Sequence, residues 1–460
     1  MERPLFESMT GKLVEQSKKD KDAVATTDQK RIDDTRKVIR YHDDIDYQIE
    51  DLTETYKPLY EDPDDDSSLK AWKARPKSAY NLVRMVTRII CSLYKDRVVR
   101  RFKDEAAKAA WKNLRINGYM QLVDRYTFLS DLVGVRPMVL DGRRTFAIYT
   151  GDMIDFTPHP TDPTKIYEAV VSFPIGTGKR RVVKQYWSNP VDGLPSEFCE
   201  TIDDELQGSV QPNKYDEIPI FFFRNGLDPW SFAGKPATNL VLANRILNKH
   251  MTDLDWTVAF QTAGTFVMDD DAGTIKPKIG ANRILRKPTG AEAYFTQPNA
   301  DIPGALALIQ RDIDLFLASV GIPEGSVFVT QTSGSGVAIV AEQDSLRTVR
   351  DERIGTLGPQ EAEFIVFAER IFRKDEGTWR GTDIEPPTTS YKRLHRPMAA
   401  DERAEVDWMV DTNQTTYADV MAGRLDISVE EAIEQIKENR RLNNELKLPA
   451  AAGNEEGGNV

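Results

Sequence analysis

The feature that most restricts this chain is a pair of narrow apolar seams separated by a short insertion. Leu240, Asn244, Leu247, Met251, Leu254 and Val258 follow one another at alternating three- and four-residue steps. Such spacing keeps one line of side chains along a helix of about five turns, as in a helix packed against similar neighbours, and does not make a broad core face. Arg245, Lys249 and Asp253 mark a different, polar face. A second stripe follows with Leu306, Ile309, Ile313, Phe316 and Val320. Between the two, Thr265–Met268, Arg283–Leu285 and Ala293–Phe295 read as short strands among turns rich in Gly, Pro, Asn and Asp. An insertion of about forty residues is too small for its own core, so it must lean on another body, and copies of itself are the first candidate.

With 460 residues the chain passes the roughly 250–300 at which one core stops growing, which predicts two or three domains. Residues 29–56 are charged with scattered apolar positions and read as a surface helix or two. Leu82, Val86, Ile89 and Leu93 define an amphipathic helix, and Leu122, Tyr126, Leu129 and Val133 define another. From Gly134 the period changes. Val135–Leu140, Thr145–Tyr149, Ile166–Val171, Arg181–Trp187 and Ile218–Phe223 are β-branched or aromatic runs between turn residues, a meander of strands. The first half is therefore expected to be an α+β body.

Beyond the second stripe, Gly321-Ile322-Pro323 leads to Thr330-Gln331-Thr332-Ser333-Gly334-Ser335-Gly336, a flexible polar loop. A long helical pattern runs from Val337 to about Arg373, interrupted by Gly358 and Pro359. Proline removes a helical hydrogen bond and crowds the preceding turn, so a kink is expected there. Residues 401–447 read as two or three helices, including the acidic Ser428–Leu446. The stretch from Met1 to about Asp28 and the tail Ala450–Val460 are polar and expected to be mobile.

A formal charge of −12 argues against a protein that grips nucleic acid over its whole surface. It leaves two ways of handling DNA open, a local basic patch or a repelling wall along which DNA slides. Cys91 and Cys199 lie far apart and give neither a metal spacing nor a disulfide framework. Cys91 falls on an apolar stripe as an inert thiol, and a reducing compartment is expected. Residues 1–20 lack the apolar core of a signal peptide and no apolar run approaches a membrane span, so a soluble, cytosolic protein is expected where it is made.

Enzyme motifs are missing. In Gly176-Thr177-Gly178-Lys179, Phe173 stands where a phosphate-binding loop needs its first glycine and Arg180 where it needs a hydroxyl. A hairpin turn is the better reading. Asp62, Asp64 and Asp66 imitate a calcium loop, but Ser67 replaces the turn glycine and Lys73 the bidentate glutamate, which leaves a solvated loop. Asp269-Asp270-Asp271 reads as a soluble hairpin tip or a docking surface. His42, His159, His250 and His395 have no metal-ligand spacing, and no serine sits in a nucleophile elbow. No cofactor, metal or catalytic residue is assigned, although folding can gather carboxylates from distant positions.

The order of elements resembles the portal proteins of tailed bacteriophages, in particular the SPP1-like group of shorter portals. The resemblance is carried by Tyr80-Asn81-Leu82-Val83-Arg84-Met85-Val86, by the run from Asn225-Gly226 into the Leu240–Val258 helix, and by Gly321-Ile322-Pro323 before Ser335-Gly336-Val337-Ala338-Ile339. It spans residues 29–447 and consists of element order and weak motifs. The family's Tyr-Tyr-x-Gly near the N-terminus is replaced by Arg40-Tyr41-His42-Asp43.

The resemblance implies an α+β portal-type fold. After a mobile arm (1–28) come an α/β wing (29–236), a first stem helix (237–263), a β-rich clip (264–303) and a second stem helix (304–321). A channel loop (322–336), a long kinked helix (337–374), a wing return strand (375–400, near Ser390–Leu394), a helical crown (401–447) and a disordered tail (448–460) complete it. It also implies a cyclic homo-oligomer, usually a dodecamer, at one capsid vertex of the virion, assembled in the host cytoplasm. Its partners would be double-stranded DNA passing without sequence readout, terminase, a head-tail adaptor, and the major capsid and scaffolding proteins, with no membrane.

A ring repeats each side chain around the axis, so one cation per chain becomes a ring of positive charge even in an acidic protein. Arg245, Lys249 and Arg311 are candidates for such DNA-facing rings. Pairing with Asp253 or with a neighbour's Asp314 is the equal alternative. Thr330, Gln331, Thr332 and Ser333 suit a sliding contact, or else an ordinary exposed linker. Lys276, Lys278, Arg283, Arg286 and Lys287 make the clip basic, for DNA, an adaptor or solvent. Two other functions stay open, another head-completion or adaptor protein and a metal-dependent DNA-processing enzyme.

Overall fold

The protein is mixed helix and sheet, 53% helical and 21% strand, which bears out the α+β class. A computed structural model describes residues 27–59, 67–95, 98–159, 161–176, 181–190, 195–226, 228, 230–262, 265–269, 284–287, 295–296, 301–323, 336–391, 400–412, 415–425 and 429–445. The chain divides into two compact units, residues 1–392 and 393–460.

The first unit opens with α1 (Thr27–Asp43) and α2 (Ile45–Tyr56). They part at Asp44, whose carboxylate accepts the Tyr47 N–H and so caps the second helix. These helices are not surface helices as their charge suggested. Val38, Tyr41 and Leu52 are buried. Arg31 is buried too, its guanidinium donating to the carbonyls of Gly151 and Ile154 at 2.8 and 2.6 Å. A long cation used as an internal strut disguises a core helix as a solvated one.

Next come α3 (Ser67–Ala74), α4 (Leu82–Ile90), β1 (Val99–Arg101), α5 (Glu105–Lys112) and α6 (Ile116–Ser130). The stripe expected on α6 is right at Tyr126 and Leu129, which pack into the core, and differs at its ends. Leu122 is exposed, whereas Met120, Val123 and Leu129 are buried, and Val133 lies beyond the helix on a strand. Asp131 ends the helix in the left-handed region at φ 65°, and its carboxylate receives the Gly234 N–H at 2.5 Å.

Strands follow where the period changes. β2 (Leu132–Leu140) and β3 (Arg143–Thr150) form a hairpin with Leu140 opposite Arg143. Asp141 and Gly142 between them both have positive φ, 50° and 70°, as a tight two-residue turn requires. After β4 (Ile154–His159), β5 (Asp162–Ile175), β6 (Arg181–Ser188), β7 (Glu197–Ile202), β8 (Glu205–Leu206) and β9 (Gln211–Pro212) comes β10 (Phe221–Arg224). One sheet has the order β10-β2-β3. A second has the order β4-β5-β6-β7-β8, with β9 also on β7. Ile175 lies opposite Arg181, so the Gly-Thr-Gly-Lys segment does connect a hairpin. Strands β4 and β7 escaped the sequence pattern because Asp155, Pro158, Glu197 and Glu200 interrupt their apolar alternation.

The core is organised by α9 (Gly336–Asp375), one helix that runs through Gly358 and Pro359. Its Leu357, Phe364, Ile365, Ala368 and Phe372 are buried against β2, β3, β10 and α6. Three charged residues, eight positions apart, fix it to different neighbouring elements. Arg353 pairs with buried Asp124 at 2.5 Å, and Glu361 with Arg100 at 2.5 Å. Glu369 pairs with Arg144 at 2.7 Å and accepts the Trp111 indole N–H at 2.8 Å. Tyr94 and Tyr391 also donate to Glu361, at 2.8 and 2.5 Å. The chain then returns as β14 (Thr388–Ser390), antiparallel to β1 with Val99 opposite Ser390. Residues 392–394 of the expected return strand lie outside the described residues.

The second unit contains α10 (Ala400–Asp411), α11 (Tyr417–Leu425) and α12 (Val429–Glu445), with a small core of Ala418, Ala422 and Ala432. Among the described residues, no helix is long and apolar enough to cross a membrane.

Candidate functional site

The two seams belong to α7 (Thr238–Thr262) and α8 (Ile302–Ser319). The helices run side by side in opposite directions, residues 243–250 beside 309–316 and residues 250–257 beside 301–309. Between them lies a three-stranded sheet of β11 (Thr265–Asp269), β12 (Ile284–Lys287) and β13 (Phe295–Thr296), in the order β12-β11-β13. β12 is parallel to β11 and β13 is antiparallel.

The end of α8 explains the Gly-Ile-Pro motif. Gly321 takes φ 73°, its N–H bonds to the Ala318 carbonyl at 3.1 Å, and the Ile322 N–H bonds to the Leu317 carbonyl at 2.9 Å. This is a Schellman ending, with Ile322 buried as its apolar contact. A Cβ at Gly321 would also meet Val349 Cγ2 at 2.7 Å, so the position needs glycine twice over.

The seams pack inward, which corrects their expected use as the contact between copies. Leu240, Leu254, Ile309, Ile313 and Leu317 are buried together with Leu82, Val83, Val86 and Ile90 of α4. Leu247, Met251, Phe316 and Val320 pack on the same cluster, and only Leu306 and Val258 stay outside. Alternating three-four spacing specifies a line of contact and not the partner, and α4 of the same chain supplies one.

Beside that cluster α7 buries a ladder of polar groups. Asn244 Oδ1 accepts the N–H groups of Leu82 and Val83 at 2.6 and 3.2 Å. One turn on, Asn248 Oδ1 accepts from Tyr80 N–H at 2.8 Å, and Thr252 Oγ1 from Ser78 N–H at 3.0 Å. Gln48 Oε1 receives both asparagine amides, at 3.0 and 3.1 Å. The segment leading into α4 thus finds its backbone acceptors on helix α7, once per turn. Sequence reasoning missed Asn248 and Thr252, although their spacing from Asn244 was visible.

The proposed ring cations are placed differently from one another. Arg245 Nε bonds to Asp51 Oδ2 at 2.8 Å, beside the Tyr41 hydroxyl. Burial works to raise the Asp51 carboxyl, but hydrogen bonds from Tyr41 and Lys37 and the Arg245 charge hold it below its usual range. Lys249 pairs with Asp253 and lies 5.3 Å from the Tyr56 ring. For both, the alternative of pairing within the chain is the geometry found, because α2 and α3 cover that side of α7. Arg311 is exposed on α8. Lys276, Lys278, Arg283, Thr330, Gln331, Thr332 and Ser333 lie outside the described residues, as do Asp62, Asp64, Asp66, Asp270 and Asp271. Arg286 and Lys287 are on β12, in register with Met268 and Asp269.

Part of what the pair of helices leaves uncovered is apolar. Leu242 is 56% exposed and Ile246 38%, one turn apart on α7. Leu308 and Leu315 are 51% and 59% exposed, seven residues apart and so on one face of α8, with Arg311 between them. Between the helices a groove of about 300 Å³ is lined by Ile246, Leu247, Ile309, Leu315 and Phe316. A second of about 250 Å³ continues it past His250 to Leu308. His250 and Asp312 approach to 3.8 Å across the pair.

Among the described residues no three His, Cys, Asp or Glu side chains gather as metal ligands would. Cys91 and Cys199 are buried free thiols, and burial pushes both well up, Cys199 to about 12. No family model and no curated protein matches the chain, so its function has to be argued from the arrangement of these elements.

Proposed function

We propose that this chain is a subunit of a ring-shaped conduit for double-stranded DNA, a portal protein of the tailed-bacteriophage kind, and not an enzyme. One observation carries the proposal. The helices on either side of the small sheet keep Leu242, Ile246, Leu308 and Leu315 in water although their inner faces are already filled. Half-exposed leucines and an isoleucine beside an apolar groove favour a partner, since full burial of such a side chain is worth about 1.5–3 kcal/mol and roughly half of that is still to be gained here. A head-to-tail contact between identical copies uses two different patches and closes into a ring when the rotation allows.

In that ring the body of residues 29–236 is the wing, α7 and α8 the stem, the small sheet the clip and α9 the long helix, with the three C-terminal helices as crown. Arg245 and Lys249 leave the set of DNA-facing candidates, since Asp51 and Asp253 neutralise them. Arg311 stays in it. Terminase, an adaptor, and capsid and scaffolding proteins are the partners this function calls for, and the virion vertex is its place.

Purified protein imaged in negative stain tests the proposal. Annular particles with a central hole support it. Particles that stay single at every concentration remove it, and an adaptor that binds another protein's ring becomes the better reading.

A further inference from the structure

A cleft of about 530 Å³ opens where α5 gives way to α6. Arg100, Lys108, Lys112 and Arg115 line it together with Phe102 and Trp111, and no Asp or Glu is among its lining residues. In a chain of formal charge −12 this is a local reversal of sign, the kind of site that draws anions.

The nearby carboxylates are committed elsewhere. Asp104 caps α5 through the N–H groups of Ala106 and Ala107 and pairs with Arg373. Glu361 holds Arg100, and Glu369 holds Trp111. Glu105 pairs with Lys108 at 2.9 Å in solvent, a contact worth little. Lys112 and Arg115 are exposed and have no ion-pair partner among the described residues.

The donors here are more than surface cations. Arg115 stands at the N-cap of α6 and gives its first turn no side-chain acceptor. Of the leading N–H groups of this 15-residue helix, that of Ile116 bonds to the Leu114 carbonyl and that of Gly118 to the Arg115 carbonyl, which leaves that of Asn117, a residue lining the cleft, without such a bond among the described residues. Gly118 has nothing within 4 Å of its would-be Cβ, so a ligand can come close to that backbone. Arg100 Nη1 holds Asn117 Oδ1 at 2.6 Å, which leaves the amide NH2 as a further donor. Two uncommitted cations, Lys112 and Arg115, with the backbone N–H and amide NH2 of Asn117 beside them, suit an oxyanion of more than one charge better than a single carboxylate. The half-buried Phe102 ring gives the cleft an apolar edge, with Trp111 buried behind it in the core, and its volume is within the ~300–1,000 Å³ of small-molecule sites.

The geometry points to a binding site for a small phosphorylated molecule of nucleotide size. Its phosphate rests on Lys112, Arg115 and the Asn117 N–H, and its organic part against Phe102. The inference does not depend on ring formation.

Titration calorimetry on the full chain, with inorganic pyrophosphate and ADP as probes, tests it. Both bind, ADP more tightly. Lys112→Glu with Arg115→Glu weakens both by at least about tenfold. Phe102→Ala weakens ADP alone, and Lys437→Glu, on the second unit, changes neither. The charge-reversed positions are exposed, so the double variant keeps the wild-type melting curve. Absence of binding at millimolar ligand overturns the assignment, and so does undiminished binding by the double variant. Pyrophosphate binding as tight as ADP overturns its apolar half. Tighter binding of a Glu-rich peptide than of either probe makes this a docking site for acidic protein.

Discussion

Helices α9 and α7 solve opposite problems. Along its second half α9 buries Phe364, Ile365, Ala368 and Phe372, and it anchors its charges Arg353, Glu361 and Glu369 on buried partners. On α7 the arrangement is reversed. Asn244, Asn248 and Thr252 are buried, while Leu242 and Ile246 face water. A helix whose main buried apolar and charged groups are held inside its own chain is finished. One that gives much of its buried face to side-chain acceptors for another segment's N–H groups and leaves leucine and isoleucine outside is finished only by something else. The contrast separates the part of the molecule that folds from the part that assembles.

The strongest way to break the contrast is at the anchors of α9. Asp124→Ala leaves the Arg353 guanidinium buried without its carboxylate, and should lower stability by about 3–5 kcal/mol in urea unfolding. A loss below ~1 kcal/mol would mean that water reaches Arg353 and the helix is not locked. On α7, Asn244→Leu removes the acceptor for Leu82 and Val83 N–H, and a loss of about 1–3 kcal/mol is expected. An unchanged or raised stability would show that the polar ladder is dispensable.

A pH titration sharpens the same contrast near α1. Burial lowers the His42 imidazole below its usual 6.5, against the pull of Asp43. Its Nε2 has no hydrogen-bond partner among the described residues. The unfolded chain therefore binds a proton there before the folded one does. Stability from this group is complete above pH 6.5 and is lost as the pH falls toward the folded value. His42→Gln should flatten that part of the stability-pH curve, and an unaltered slope would place the titrating group elsewhere.

The smallest effect on folding is expected at the outer face. Leu308→Glu with Leu315→Glu changes monomer stability by no more than about 0.5 kcal/mol per site, because both side chains already stand in water. The same double change should abolish association, read by sedimentation. A variant that still assembles would clear these leucines of any role between copies.

The sequence announced elements better than it announced partners. Two helices around a short β insertion, the β2–β3 hairpin region and the long α9 follow from period, β-branched content and turn residues. Which side each helix buries did not follow. The α7 and α8 seams read as contacts between copies, yet α4, more than 150 positions earlier, covers them. Arg31 falls in a stretch read as surface helix, and Arg245 read as a DNA-facing cation or an ordinary pairing charge, since nothing local reveals the Gly151 carbonyl or the Asp51 carboxylate that receives them. Asn248 and Thr252 gave a spacing signal but no apolar one. Patterns local in sequence expose a helix and its stripe, whereas the choice of neighbour is set by contacts distant along the chain.

Multi-angle light scattering on the purified full chain, over a wide concentration range, tests the central claim most directly. A single discrete mass of many subunits, reduced to one subunit by the Leu308→Glu and Leu315→Glu pair, is the expected result. A wild-type mass equal to that of one chain at all concentrations would contradict it, and the outer leucines of α7 and α8 would then have no twin to meet.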